Sequence, residues 1–176
     1  MSELKDEHLR YPIGKFTKPE VLNMETVASW IQEIEMLPGK LKFLCSGLSD
    51  SQLQKQYRPD SWNVAEVVHH LADSHMNSLV RYKWTLTEDT PIIKAYDQMA
   101  WSTLEDYKAS VDVSLTLIEA LHRKWIILLK SLKESDFEKY YVHPETNRHV
   151  SLGVNTALYA WHGNHHIKHI EIALES

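Results

Sequence analysis

Only one of the 176 residues is cysteine, Cys45, so no disulfide can form within the chain. A thiolate-rich structural zinc site is excluded with it, because such sites close four positions, largely with Cys. The lone thiol follows Phe43 and Leu44 and is expected to be a small buried group, not a nucleophile. Glycine and proline are scarce, 5 and 6, too few for an all-β protein with many tight turns. No basic run occurs, and 19 Lys and Arg against 24 Asp and Glu leave a formal net charge of −5 at pH 7. Such a chain is poorly suited to a polyanion, which sets nucleic-acid binding aside. Long apolar runs are missing as well. The longest, "WIILL" at 125–129, is ended by Lys130 and falls far short of the roughly 20 residues of a membrane span. The opening "MSELKDEHLRYPIGK" is charged throughout, so a cytoplasmic protein without a membrane partner is expected. No phosphate-binding glycine loop and no glycine-rich nucleophile elbow occur, which disfavours serine catalysis at Ser74.

What the chain does contain is helical periodicity. Val27, Ile31, Ile34, Leu41 and Leu44 predict a first helix over about 25–45, capped by Asn23 or Thr26 and kinked or split at Pro38–Gly39. Val64, Val67, Val68, Leu71, Leu79 and Tyr82 recur at i, i+3, i+4, i+7 and predict a second over about 63–87, with Asp60 or Ser61 as its cap. Leu115, Ile118, Leu121, Trp125, Leu128 and Leu129 predict a third, from a cap near Asp112 to about Leu132. A fourth follows from Ser151 to about Leu174. Aromatic and β-branched residues around Pro144–Asn147 suggest a small hairpin, and Pro12, Gly14 and Pro19 an extended arm over residues 1–22. With no repeat or linker, the expectation is a single domain over 1–176, all-α, a four-helix bundle with short extra helices and a hairpin-like excursion. The long connections leave the order of the helices open.

Eleven histidines are present, and "WHGNHHIKHI" at 161–170 holds four of them. On a helix, residues four apart share a face with Cβ atoms about 5–6 Å apart, close enough for two imidazoles to grip one ion. Two such pairs exist, His162 with His166 and His165 with His169; the first lies beside the core stripe of Leu152, Thr156, Ile167 and Ile170. On the second helix, His70 lies off the apolar stripe, in a row with Ser74, Asn77 and Arg81 and flanked by Asp73. His69 is expected at the surface, and His75 falls within the apolar row as a core or interface residue. Bundles build metal sites from side chains on facing helices, so one imidazole from the second helix and two from the fourth form a candidate centre.

These residues resemble the DinB/YfiT-like superfamily of metal-binding four-helix bundles, and more narrowly its YfiT branch. The matching pieces are "YPIGKF", "SWNVAEVVHHLADSHMNSLVRYKWTLTEDTPIIKAYDQMAW", "HPETN" and "LYAWHGNHHIKHI", which span residues 11 to about 172. The resemblance implies His70, His162 and His166 as metal ligands. It also implies a homodimer, and the activity of a metal-dependent hydrolase or of a bacillithiol S-transferase-like enzyme. The usual "H-R-G-Q" ending stands here as His166-Ile167-Lys168-His169, which makes His169 a candidate outer group behind the ligands.

Three neutral imidazoles leave an ion its full charge and open positions, the arrangement of a reactive site rather than a closed one. Zn2+ or Ni2+ suits such ligands best, with ferrous iron and manganese as alternatives. The expected function is therefore hydrolysis of a small-molecule substrate by metal-activated water. One alternative is conjugation of a low-molecular-weight thiol such as bacillithiol, and another is a non-catalytic bundle stapled by metal. Asp73 is the candidate catalytic base or ligand-orienting acid, and Asn77 and Arg81 are candidate substrate-binding residues.

Overall fold

The computed structural model describes residues 7–175. Four long helices carry the chain: α1 (Met24–Cys45), α2 (Val64–Thr87), α3 (Val111–Ser131) and α4 (Leu152–Glu175). Each begins where a side-chain oxygen satisfies an otherwise orphaned amide. Asn23 accepts from the Thr26 amide, Ser110 from Asp112 and Ser151 from Val154. Asn63 and Glu66 cap α2 reciprocally, at 2.9 and 2.8 Å. One expected cap is thereby corrected. Asp60 turns away with φ +56° and Ser61 is spent on Arg58, leaving Asn63 to cap α2. The cap expected near Asp112 is Ser110, two residues before it.

Pro38 does not split α1, which runs unbroken from Met24 to Cys45. The short elements are helices Asp50–Leu53, Gln98–Trp101 and Glu134–Glu138 and a 3-10 turn, Glu105–Lys108. The expected hairpin is present: β1 (Tyr140–His143) pairs antiparallel with β2 (Arg148–Ser151), and Asn147 at its tip takes φ +51°, a conformation Asn tolerates. β1 also anchors the α2–α3 connection, through hydrogen bonds from Ile93 to the Val142 carbonyl and from Val142 to the Pro91 carbonyl.

Contacts fix the helix order that the sequence left open. α1 and α2 each pack against both α3 and α4 and stand diagonally opposite one another. Lys130 bonds Glu35 while Lys42 meets Glu119, so α1 and α3 are antiparallel. His69 meets Ser114 and His75 meets His122, so α2 and α3 are parallel. His70 meets His162 and Tyr82 meets Leu152, so α2 and α4 are antiparallel. The bundle therefore runs up, down, down, up. Its core has two centres, one around Leu41, Val68, Leu71, Ile118 and Ile170, the other around Ile34, Tyr82, Trp125, Leu129 and Leu152. Each fully buried aliphatic or aromatic side chain contributes about 1.5–3 kcal/mol.

The first six residues of the expected arm lie outside the described residues. Residues 7–10 form a helical turn, not extended chain. The rest runs along α4, where the Trp161 indole donates to the Gly14 carbonyl at 3.2 Å and the Phe16 ring meets that of Trp161. Among the described residues no helix is long and apolar enough to cross a membrane.

Candidate metal centre

α2 and α4 face each other, and their histidines meet between them. One ring nitrogen each from His70, His162 and His166 forms a group whose atoms all lie within 4.8 Å of one another. Among the described residues no other set of three or more His, Cys, Asp or Glu converges in this way. The Nε2 atoms of His70 and His162 are 3.2 Å apart. Two nitrogens bound at 2.0–2.1 Å to one tetrahedral ion would be separated by about 3.3–3.4 Å, so the spacing fits a shared divalent cation. His162 and His166 are one turn apart on α4. Gly163 between them lets α4 press against α1, for a Cβ there would stand 3.0 Å from Leu37 Cδ2.

Burial keeps all three rings neutral, the form in which imidazole binds a metal. It pushes His70 down to about 4, with the neighbouring His165 adding to the effect. His162 and His166 are held well below the ordinary imidazole value, again first by burial and then by the other histidines. The Nδ1 of His70 is buried without a partner, while its ring packs against Trp62 at 4.6 Å.

The group opens onto a cavity of about 350 Å³, whose wall includes Arg10, Tyr11, Tyr57, Arg58, Trp62 and Met99. The second pair suggested by the sequence is turned to other uses. His165 stacks on Trp161 at 4.5 Å. His169 stacks on Tyr57 at 3.8 Å, with its Nδ1 3.4 Å from His166 Nδ1 and its Nε2 3.3 Å from the Arg10 carbonyl. His169 thus stands behind His166.

Other sequence candidates fall elsewhere. The Asp73 carboxylate accepts the Tyr107 hydroxyl at 2.9 Å and does not line the histidine cavity. Burial raises its carboxyl and Tyr107 opposes that rise. Asn77 donates to the Asp73 carbonyl. Arg81 is 8 % exposed and lines a separate cavity of about 650 Å³ with Lys18, Tyr141, His143 and Arg148. Ser74 shares a hydrogen bond with the Tyr159 hydroxyl. His69, expected at the surface, is 4 % exposed and bonded to Ser114 at 2.8 Å, because α3 and Tyr107 cover that face of α2. Cys45 is buried as expected, and burial pushes its thiol up to about 12.

Sequence reasoning gave no role to His122, Arg10, Tyr57 or Arg58. His122 carried a signal: it sits on the buried stripe of α3, four residues past Ile118 and three before Trp125. Arg10 ends a single helical turn and Tyr57 and Arg58 lie in an irregular segment, both too short for periodicity to say anything about facing.

Comparison with known proteins agrees with this architecture. The DinB superfamily profile matches residues 33–170. A Bacillus cereus protein named "Putative metal-dependent hydrolase" is 49% identical over 162 residues, covering 92% of this chain and 93% of the relative. A protein of Oceanobacillus iheyensis carrying the same description is 45% identical over 161 residues, with the same coverage. Among solved structures, YfiT from Bacillus subtilis is described as "a probable metal-dependent hydrolase with an unusual four-helix bundle topology". It is 45% identical and superposes with a TM-score of 0.92 over 96% of this chain and 97% of its own. The chain is a member of the DinB superfamily.

Proposed function

We propose that this protein is a hydrolase of small molecules that works with one divalent ion, Zn2+ or Ni2+, held by His70, His162 and His166. The observation that carries this reading is three neutral imidazoles in one group, with no carboxylate or thiol among them, at the wall of an open cavity. An ion so held would supply Lewis acidity, the means by which a divalent metal makes a nucleophile of water near neutral pH. The chain does the rest. Trp62 packs on His70 and Tyr57 on His169 at the ligand side of the cavity, and His169 stands behind His166. Arg10 and Arg58 line the same cavity and would hold a carboxylate or similar anion on the substrate. Asp73 acts as a positioning group, tying the Glu105–Lys108 turn to α2 through Tyr107.

Those two arginines also favour a second reading, transfer of an anionic low-molecular-weight thiol, since the same ion would stabilise a thiolate. The test loads purified protein with zinc or nickel and offers activated esters and amides, then bacillithiol with an electrophilic dye. Ester or amide turnover that disappears in His162→Ala supports hydrolysis. Thiol-dependent conjugation without ester or amide turnover replaces it with transfer. A protein that retains no metal after dialysis refutes both.

A further inference from the structure

Behind His162, away from the cavity, stand two more buried histidines. Their order begins on α1. Pro38 carries no amide proton, so the carbonyl of Ile34, four residues earlier, is left without its usual helical partner. His122 of α3 takes it, with Nδ1 2.7 Å from that oxygen. A carbonyl can only accept, so Nδ1 of His122 carries the proton. Burial holds this ring neutral, pushing it down to about 4, and a neutral imidazole has a single N–H. Nε2 of His122 is therefore bare and accepts. It lies 2.9 Å from Nδ1 of His75, which must donate. His75 is fully buried among the rings of His122, Trp125, Tyr159 and His162, where an unpaired charge would be costly, so it too is neutral and its Nε2 is bare in turn. That atom lies 3.2 Å from Nδ1 of His162, which donates to it. The remaining lone pair of His162 is on Nε2, the atom facing His70 Nε2 within the ligand group.

We propose that the Ile34 carbonyl, His122 and His75 form a positioning relay that locks the ligand His162 in the one tautomer able to present Nε2 to a metal ion. The direction of each hydrogen bond follows from the one before, and the chain starts at an atom that cannot change role. Packing keeps the relay in register. His75 meets the rings of Trp125 and Tyr159 edge to face at 5.8 and 5.0 Å, and these contacts hold its ring between them. Outer groups that orient a ligating histidine are often carboxylates or backbone carbonyls; here the carbonyl acts at a distance, through two imidazoles. The proposal rests on the metal site described above, and its test separates the two.

The first measurement is the long-range 1H–15N correlation spectrum of the metal-free protein at neutral pH. His162, His75 and His122 are each expected to be protonated at Nδ1 and bare at Nε2. His162 protonated at Nε2, or averaging between tautomers, overturns the relay whether or not the protein binds metal. The second is zinc affinity by chelator competition. His122→Leu and His75→Leu are expected to bind zinc about 10–100-fold more weakly. His122→Gln and His75→Gln keep one acceptor and one donor at each station and should stay close to wild type. Leucine variants that fold and bind zinc as tightly as wild type overturn the proposal. Should they fail to fold, the tautomer spectrum still decides it.

Discussion

At the residue scale the site turns on which side of one helical turn faces α2. His165 and His166 are adjacent in sequence, yet His166 joins His70 while His165 lies against Trp161. Metal content after dialysis should follow this split. His70→Ala, His162→Ala and His166→Ala are each expected to lose the ion, while His165→Ala retains it; the reverse would move the site to the pair His165 and His169. His169→Ala should keep the ion but bind it about 10–100-fold more weakly, the usual cost of losing a group that orients a ligand. The sequence allowed the first three residues to be chosen because helical spacing fixes which side chains share a face. It left His75 as a core or interface residue, since a stripe position says that a ring is buried but not which neighbour it meets across the bundle. It missed His122 for the same reason, its partner being an oxygen freed by a proline 84 residues away in the chain.

At the scale of the element, the helix ends were legible to within a residue or two, because caps are local chemistry. α2 shows both the strength and the weakness of such reading. Its limits matched, while its cap moved from Asp60 or Ser61 to Asn63, which alone answers the Glu66 amide and is answered by the Glu66 carboxylate. Asn63→Ala is expected to lower unfolding free energy by about 1 kcal/mol, measured by urea titration with an unchanged slope. A neutral outcome would mean that water satisfies the amide as well. α1 teaches the opposite lesson. Proline inside a helix signals a break, yet α1 continues, because His122 satisfies the carbonyl that Pro38 abandons and the surrounding face is buried at Ile34, Leu37 and Leu41. Tertiary packing overrode a strong local signal.

For the whole molecule, the order of helices was beyond the sequence, because connections of this length can cross the bundle either way. The fold also sets a pH dependence. His70, His122 and His165 lie at about 4 and His169 at about 3, all lowered first by burial from an ordinary 6.5. As pH falls through 6.5 the unfolded chain takes up protons that the folded chain refuses, so stability is full above that value and drains away down to about 4. The shift of His122 alone corresponds to about 3 kcal/mol. Thermal unfolding of metal-free protein should show a midpoint flat above pH 7 and falling steeply from 6.5 to 4. A midpoint constant across that window would show these rings to be hydrated.

The cavity wall is assembled from residues 10–11, 57–62, 70, 98–99 and 161–169. No fragment of the polypeptide owns it: the pair on α4 lies within one helical turn, but His70 stands 92 residues from His162 in the chain, so the full set of three exists only once α2 and α4 have packed. The third ligand is thus delivered by the closing of the bundle on its own oily interior, and a cation held by all three would be a late guest rather than a founding member.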